Sequence, residues 1–300
     1  MKRIPGLAAA LLAGAALLSQ AAPVAAQQDF RWSGRLARGE QISVRGIVGD
    51  IRAEPTSGAE VVVTAVRRGR GARDVRIETV RRSEGVVICA LWPRDDDDDR
   101  GWRGRRDRDD DDDREPDDAC NRSGGSTRDN DARVDFTVRV PAGVRVSMGT
   151  VSGDVYATGL HSPVRAASVS GDVRVSSDGP VQATSVSGDV DATLGRIAGQ
   201  SLHFTSVSGN VTLRVPASID ADFSARTLSG SIDSDFPLTI GSGRDRPRGR
   251  DRDRDDDDDG YGPGRIHVRI GQNASGRLGR GGPDLTVNTV SGDIALVRAR

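Results

Sequence analysis

A six-residue pattern recurs along the second half of this chain, and it constrains the fold more than any other feature. Each copy reads small hydroxyl residue, aliphatic residue, Ser, Gly, small polar residue, aliphatic residue, and the copies begin at residues 150, 168, 185, 206, 227 and 289. A weaker version occupies residues 47–51. The first five copies follow one another every 17 to 21 residues. Self-similarity at a nearly fixed period of this size is typical of a solenoid, in which each repeat forms one coil.

Apolar and polar residues alternate on both sides of each Ser-Gly pair, which predicts two short strands per repeat, as in residues 181–185 and 190–194. Gly supplies the positive φ that a tight bend needs, and the neighbouring Asp or Asn can cap backbone amides. An aromatic content of 3 % also fits a narrow core. We therefore predict an all-β fold, a single-chain parallel β-helix or β-solenoid. Its inward ladder comprises Val155, Val173, Val190, Val211, Ile232 and Ile294.

The N-terminal half follows the same plan less regularly. Short strands are predicted at residues 42–44, 61–63, 75–77 and 86–88, and a longer one runs through residues 134–140 until Pro141 ends it. These irregular strands could be the first coils, or they could form a small β-sandwich that caps the solenoid. A cap is physically required, because an open solenoid end exposes unpaired strand edges.

The N-terminus resembles an export signal. Lys2 and Arg3 precede an apolar run from Leu7 to Leu18, and small residues follow as far as Ala26. We expect residues 1–26 to be a signal peptide and residues 27–300 to form one β-solenoid domain. No later stretch is apolar enough to span a membrane, so the mature chain is expected to lack a transmembrane segment. This predicts a bacterial protein that is exported to the periplasm, the cell surface or the medium.

Two charged segments interrupt the repeats. Residues 94–132 and 241–264 contain runs of Asp interleaved with Arg and few apolar residues, so both are predicted to be disordered insertions. Cys89 and Cys120, the two cysteines of the chain, enclose most of the first insertion. Because an exported protein meets an oxidising compartment, we expect a structural disulfide between them, with two free thiols as the alternative.

These features resemble a bacterial putative-adhesin family of unknown function, which consists of exported β-solenoid proteins. The resemblance rests on the Ser-Gly-Asp-Val repeats, the strand at residues 85–93 and the strand at residues 135–141, and it covers residues 40–300 apart from the two insertions. It implies a right-handed β-helix-like fold and no established catalytic residues. The Arg- and Asp-rich insertions depart from the family's simple pattern.

The aspartates of the repeats are the candidate binding residues. If the coils stack in register, Asp154, Asp172 and Asp189 form one column, followed by Asn210. Like carboxylates this close repel one another unless they are hydrogen-bonded or bridged by a cation, and calcium prefers oxygen ligands. Calcium at these three aspartates is therefore one hypothesis. The other is that each Asp only caps its own turn, which the change to Asn210 and then Ser231 favours.

Composition limits the function classes. The net charge is −1, and the Arg clusters have acidic neighbours, so we expect no nucleic-acid partner. No catalytic constellation can be placed, so we predict a non-enzymatic protein without a catalytic site or cofactor, which presents its repeat face to a glycan or protein at the cell envelope. The alternatives are a periplasmic scaffold without an external ligand and, third, a polysaccharide-cleaving β-helix enzyme. The ligand and the oligomeric state are left open.

Overall fold

A computed structural model describes residues 30–93, 120, 131–195, 199–242, 266–269 and 272–299. Within them the chain forms two sheets, A and B, of eleven strands each. Sheet A contains, in spatial order, β1 (Phe30–Gly34), β4 (Val61–Arg68), β7 (Arg133–Pro141), β3 (Ile51–Thr56), β9 (Val155–Leu160), β11 (Val173–Ser177), β13 (Val190–Leu194), β15 (Val211–Val215), β22 (Ile294–Arg298), β17 (Ser231–Ser234) and β19 (Ile266–Arg269).

Sheet B contains, in spatial order, β18 (Thr239–Ser242), β20 (Gln272–Leu278), β16 (Ala221–Ser229), β21 (Asp284–Ser291), β14 (Leu202–Ser208), β12 (Val181–Ser187), β10 (Val164–Ser170), β8 (Arg145–Ser152), β2 (Gln41–Arg45), β6 (Gly85–Leu91) and β5 (Arg76–Arg82). A short 3-10 helix, Arg70–Asp74, follows β4. The prediction of an all-β solenoid is confirmed.

Each repeat forms one coil, with a strand in sheet B, a corner at Ser-Gly-Asp and a strand in sheet A. In the coil of β10 and β11, for example, the corner lies between Ser170 and Val173. Neighbouring coils pair in parallel and in register, so that Val164 lies beside Val181 and Val173 beside Val190. Register this regular follows from the sequence, because a shift by one residue would turn every buried side chain to the solvent.

The core between the two sheets is one continuous apolar cluster. The six residues of the predicted inward ladder are buried, with at most 2 % of their surface exposed. Small and β-branched side chains fill most of the space between the sheets. Larger rings occur at few positions, among them Phe136, Phe204 and Phe223. The core is narrow because the strands of the repeats contribute two to four buried residues each, for example three in β12 and four in β16.

The N-terminal half supplies both coils and a cap. β2 and β3 form one coil and pair in parallel with β8 and β9, while β6 and β7 stack on the other side of that coil. Antiparallel strands then cover this end: β4 pairs with β7, β1 pairs with β4, and β5 pairs with β6. Both possibilities left open by the sequence are therefore realised, in different strands. The opposite end is capped in the same way by β18, β19 and β20.

The order of the coils differs from the order of the repeats. The last repeat, β21 and β22, lies between the coil of β14 and β15 and the coil of β16 and β17. The sequence alone suggested sequential stacking, in which the repeat at residue 227 would follow the repeat at residue 206. The last repeat is instead inserted between these two coils. β21 and β22 each pair in parallel with two strands rather than one, and this double pairing holds them in the fold.

Most of the charged segments lie outside the described residues, and so does the predicted signal peptide. Residues 94–119, 121–130 and 243–264 belong to the predicted insertions and are not described. The described flanks show where these segments leave the solenoid. The first connects β6 to β7 at the position of a corner, and the second connects β18 to β19 at a capped end. In the part of the chain described, no helix is long and apolar enough to cross a membrane.

Candidate functional site

The aspartates of the repeats form a hydrogen-bonded column along the corner. In each step, the Oδ1 of one residue accepts the backbone N–H of its counterpart in the next coil. The Oδ1 atoms of Asp154 and Asp172 accept from Asp172 and Asp189 at 2.9 and 3.0 Å. The column runs through Asp135, Asp50, Asp154, Asp172, Asp189, Asn210, Asp293 and Ser231, with N···O distances of 2.8–3.1 Å.

The predicted stacking of Asp154, Asp172 and Asp189 with Asn210 is thus present, but the capping differs from the expectation. Each side chain caps the turn of the next coil and not its own turn. Asp293, from the inserted last repeat, stands between Asn210 and Ser231. This geometry explains the sequence variation. Asn210 offers the same Oδ1 acceptor as Asp. Ser231 ends the column, so its backbone N–H donates to Asp293 but its side chain has no N–H of a further coil to accept.

A second column runs beside the first and uses the hydroxyl that opens each repeat. The Oγ atoms of Ser168, Ser185 and Ser206 donate to the carbonyl oxygens of Gly153, Gly171 and Gly188 in the preceding coil, at 2.9–3.0 Å. The same carbonyl explains why every repeat has Gly at this position: with a φ of 155°, a Cβ on Gly171 would overlap the carbonyl oxygen of Gly153. Ser, Gly and Asp are thus all explained by the stacking of corners.

Charge pairs cover the outer face of sheet A next to the corner. Arg174 lies 2.9 Å from Asp172 and 3.7 Å from Asp191, and its guanidinium carbon lies 5.7 Å from the centre of the Tyr156 ring. Tyr156 donates its hydroxyl to Asp154 at 2.7 Å. Partial burial alone would raise the pKa of Asp154, but the hydrogen bonds from Tyr156 and from the backbone of Asp172, with the charge of Arg174, outweigh it and lower that pKa.

Arg174 thus places a positive charge beside Asp154 and Asp172, two members of the column. Among the described residues, no three side chains of the His, Cys, Asp or Glu type are grouped so that they could hold a metal ion. Calcium binding at Asp154, Asp172 and Asp189 stays a prediction that titration can decide. Two of the three histidines lie at the surface: His161 contacts Asp178 at 2.7 Å just after β9, and His203 is exposed on β14.

The outer face of sheet B is different, because it carries an exposed aliphatic row beside the corner. We call this set the valine row; its members are 40–67 % exposed. Among the side chains that the structure describes, in residues 30–93, 120, 131–195, 199–238 and 272–299, no other large hydrophobic one is exposed to this degree. The row follows the strand order, so its side chains repeat at the spacing of the strands, about 4.8 Å. In spatial order it comprises Val151, Val169, Val186, Val207, Val290 and Leu228.

The sequence itself contains the signal for this row. Val186 follows Gln182 and Thr184 at intervals of two, and all three lie on the outward side of β12. An aliphatic residue in the second position of a repeat must therefore face the solvent. The valine row, rather than the aspartate column, is the feature that core packing and turn chemistry leave unexplained.

We define the contact face as the outward side of β8, β10, β12, β14, β21 and β16. At the end of the face near β16, a trough of about 460 Å³ lies between the valine row and a polar row. Val207, Val290 and Leu228 line one side, and Thr205, Asn288, Arg226 and Asn273 line the other. This surface offers apolar contact and hydrogen bonds without a nucleophile or a general base.

The disulfide predicted between Cys89 and Cys120 is confirmed, with the two Cα atoms 5.7 Å apart. Both cysteines are fully buried and pack with Val87 in a small separate cluster, against which Val80 and Leu91 also lie. Val87 and Cys89 belong to this cluster and not to the main core, so Cys120 packs on the outer side of β6.

These features define a class: an all-β protein of two parallel sheets, joined by stacked corners and closed by antiparallel caps. Comparison with known families gives the particular assignment. The family described as Toastrack DUF4097 matches residues 41–254, and the chain belongs to it. The likeness to an adhesin-like family of unknown function, recognised from the repeats, is thereby confirmed.

Two solved structures are similar over most of their length. A putative cell adhesion protein from Clostridium sporogenes is 9 % identical, with 90 % of this chain and 99 % of that chain covered, at a TM-score of 0.42. A putative adhesin from Bacteroides fragilis is 12 % identical, with 90 % and 96 % covered, at a TM-score of 0.35. Similarity at this level carries no argument about a shared ligand. No curated protein matches the chain, and the family and the two structures indicate no enzyme family.

Proposed function

We propose that this chain is a non-enzymatic, exported, adhesin-like solenoid that binds another component of the cell envelope through its contact face. One observation carries the proposal: the two outer faces of the solenoid differ in a way that folding does not require. Sheet A exposes Arg174, Asp191 and Arg214 in mutual ion pairs, whereas the centre of sheet B exposes aliphatic and neutral polar side chains. A contiguous apolar strip on a soluble protein marks an interaction site.

Repetition makes this face suited to multivalent contact. An exposed aliphatic side chain recurs at the same position on six neighbouring strands, so a partner can engage several of them at once, and weak individual contacts add up. The export signal expected from residues 1–26 and the disulfide both fit an extracytoplasmic location. The Asp-rich insertions, in this proposal, keep the protein soluble and are not part of the binding face.

The test compares binding of labelled chain to intact cells and to envelope fractions. Val186→Arg places a charge in the middle of the contact face, and we expect it to reduce binding at least tenfold. Thr193→Arg is the matched control, since Thr193 is exposed at the equivalent level of sheet A. Equal binding by the two variants would mean that the contact face does not mediate binding to the envelope.

A scaffold in the periplasm is the second candidate, favoured by the extent of the ion-pair network on sheet A. Protease treatment of intact cells separates the two. Cleavage of the chain supports the adhesin-like function, whereas full protection together with normal cleavage after outer-membrane lysis supports the scaffold.

A further inference from the structure

We propose that the partner of the contact face is the same face of a second copy of this chain, with the two stacks of strands running in opposite directions. This inference rests on the proposed function and names its binding partner. In this arrangement a two-fold axis runs parallel to the strands between β12 and β14. Valine row then packs on valine row, so that Val186 of each copy contacts Val207 of the other.

The first support is the absence of charge at the centre of the face. On β12, β14 and β21, the three outward positions nearest the corner contain no Asp, Glu, Lys or Arg, although these types make up 29 % of the chain. A face that meets its own copy cannot carry one sign of charge at its centre without repulsion. The nine residues are Gln182, Thr184, Val186, His203, Thr205, Val207, Thr286, Asn288 and Val290.

The second support is charge complementarity at the ends of the face. Reversal of the stack places β8 of one copy over β16 of the other. Arg145 is the first outward residue of β8, and Asp222 is the first outward residue of β16. Both lie at the same distance along the strand from the valine row, so Arg145 of one copy then lies opposite Asp222 of the other. Arg165 on β10 lies diagonally opposite Asp284 on β21. All four side chains are at least partly exposed, and the two-fold axis repeats each pair. Within its own chain Asp222 also lies 3.4 Å from Arg277, and Arg145 donates to the carbonyl oxygen of Gly39, so each pair would add to these contacts.

The third support is shape. Arg226 projects from β16 at the same level as Gly149 on β8, where no side chain competes for space; a Cβ on Gly149 would have no neighbour within 4 Å. The reversed stack places Arg226 of one copy over Gly149 of the other. The same arrangement places Val151 and Val169 of one copy against the trough lined by Leu228 and Val290 of the other copy.

The fourth support is area. Six strands spaced by ~4.8 Å, each contributing about 20 Å of length, make a flat surface of roughly 600 Å² per copy. Two such faces bury about 1,200 Å² in total, which is the lower end of the range for specific protein interfaces. A micromolar, reversible dimer is the expected strength, and this suits contact between molecules held on facing surfaces.

The first experiment measures association by sedimentation equilibrium, using the full chain expressed with its own N-terminal segment and purified from the exported fraction. We expect a monomer–dimer equilibrium below about 100 µM. Val186→Arg should weaken the dimer at least tenfold, because each new charge faces the apolar Val207 of the other copy. Thr193→Arg should leave it unchanged. Circular dichroism and the thermal midpoint verify that both variants are folded.

The second experiment tests the reversed orientation by charge exchange. Arg145→Asp alone and Asp222→Arg alone should each weaken association, since each places like charges together at both ends of the interface. The double variant Arg145→Asp/Asp222→Arg should recover most of the wild-type affinity. If the double variant is as weak as the single variants, the orientation is wrong.

The outcomes separate this inference from the proposed function. A chain that stays monomeric up to about 100 µM, yet binds envelope fractions through the contact face, overturns the second copy as partner and leaves the proposed function in place. Equal binding to envelope from cells with and without the gene also overturns the second copy as partner. A dimer that is insensitive to Val186→Arg overturns the inference as well, because another surface must then mediate it.

Discussion

At the scale of single residues, the repeated motif is explained by contacts between coils rather than within one coil. The side-chain oxygen of each Asp or Asn holds the backbone N–H of the next corner, and the hydroxyl three residues before the Gly binds the carbonyl of the preceding Gly. A hydrogen bond to a charged acceptor stabilises a fold by about 1.5–3 kcal/mol. A column of such bonds therefore fixes both the register and the spacing of the corners.

Two substitutions at Asp172 separate turn capping from calcium binding. Asp172→Asn keeps the acceptor for the N–H of Asp189, as Asn210 does naturally, so we expect a loss of less than about 1 kcal/mol in unfolding free energy. Asp172→Ala removes the acceptor and should cost about 1–3 kcal/mol. Urea denaturation measures both changes.

The same variants, unfolded thermally in chelator and in excess calcium, test the calcium hypothesis. We expect the wild-type midpoint to be equal in the two solutions. A calcium-dependent increase that Asp172→Asn abolishes would instead identify the column as a metal site, by linkage between binding and folding.

The acid sensitivity of the corner should depend on Tyr156. The pKa of Asp154 in the folded chain lies below its ordinary value of 3.8, with the Tyr156 hydroxyl among the causes. Its stabilising contribution is therefore complete above that ordinary value and is lost as the pH falls through the lowered pKa. Tyr156→Phe should bring the folded pKa closer to 3.8 and reduce stability at pH 5–7. Unfolding free energies between about pH 2 and 7 provide the measurement, and a parallel pH profile for the variant would contradict this role.

A glycine at the corner should be harder to replace than the aspartate beside it. Gly171→Ala adds a Cβ that overlaps a backbone carbonyl of the neighbouring coil, in a conformation with positive φ. We expect a destabilisation of at least about 2 kcal/mol, measured by urea denaturation. Gly149→Ala is the control, since its Cβ would point into open space; equal losses in the two variants would contradict the steric argument.

At the scale of strands, the insertion of the last repeat between earlier coils is the feature with the largest consequence. β21 lies between β14 and β16, and β22 lies between β15 and β17. Without β21 and β22, the coil of β14 and β15 and the coil of β16 and β17 would each lose the strand pairing on the side where the two coils face each other. β21 and β22 therefore belong to the interior of the stack, although they follow all the other strands in sequence.

Truncation tests this position directly. A chain that ends at Arg280 lacks β21 and β22, and we expect it to lose cooperative unfolding and to become sensitive to protease as far back as β14. A chain that ends at Ala299 is the control and should behave as the full chain does. If the shorter chain still unfolded cooperatively and resisted protease, the coils would have to be stacked in sequence order.

At the scale of the whole molecule, one covalent link and two unlike faces define the solenoid. The disulfide joins cysteines that are 31 residues apart in sequence and buries both of them. One outer face is covered by ion pairs, while the other carries the valine row. The molecule is therefore one-sided in its chemistry, although its two sheets contain the same number of strands among the described residues.

Loss of the disulfide should destabilise the chain without changing the repeats. For the double variant Cys89→Ala/Cys120→Ala we expect a decrease of about 3–4 kcal/mol in unfolding free energy, because the unfolded chain regains the entropy of a loop of this size. Reduction of the wild type should give a similar value. A reduced wild type as stable as the oxidised protein would contradict this expectation.

The sequence by itself determined the local chemistry of this protein. Period-two alternation fixed which residues of β12 and β13 face the core, and the repeat fixed the corner, because both depend on neighbours along one chain. The single pair of cysteines predicted a disulfide, with two free thiols as the alternative, and the structure decided between them.

Only the tertiary structure decided that the last repeat lies between two earlier coils, that an Asp caps its neighbour's turn, and that Val290 stands between Val207 and Leu228. These facts depend on contacts between residues far apart in the chain. Nearly identical repeats fit several orders of stacking equally well at the level of one coil. The choice among them comes from pairing at both sheet edges and from closure by the antiparallel caps, which are properties of the assembled stack.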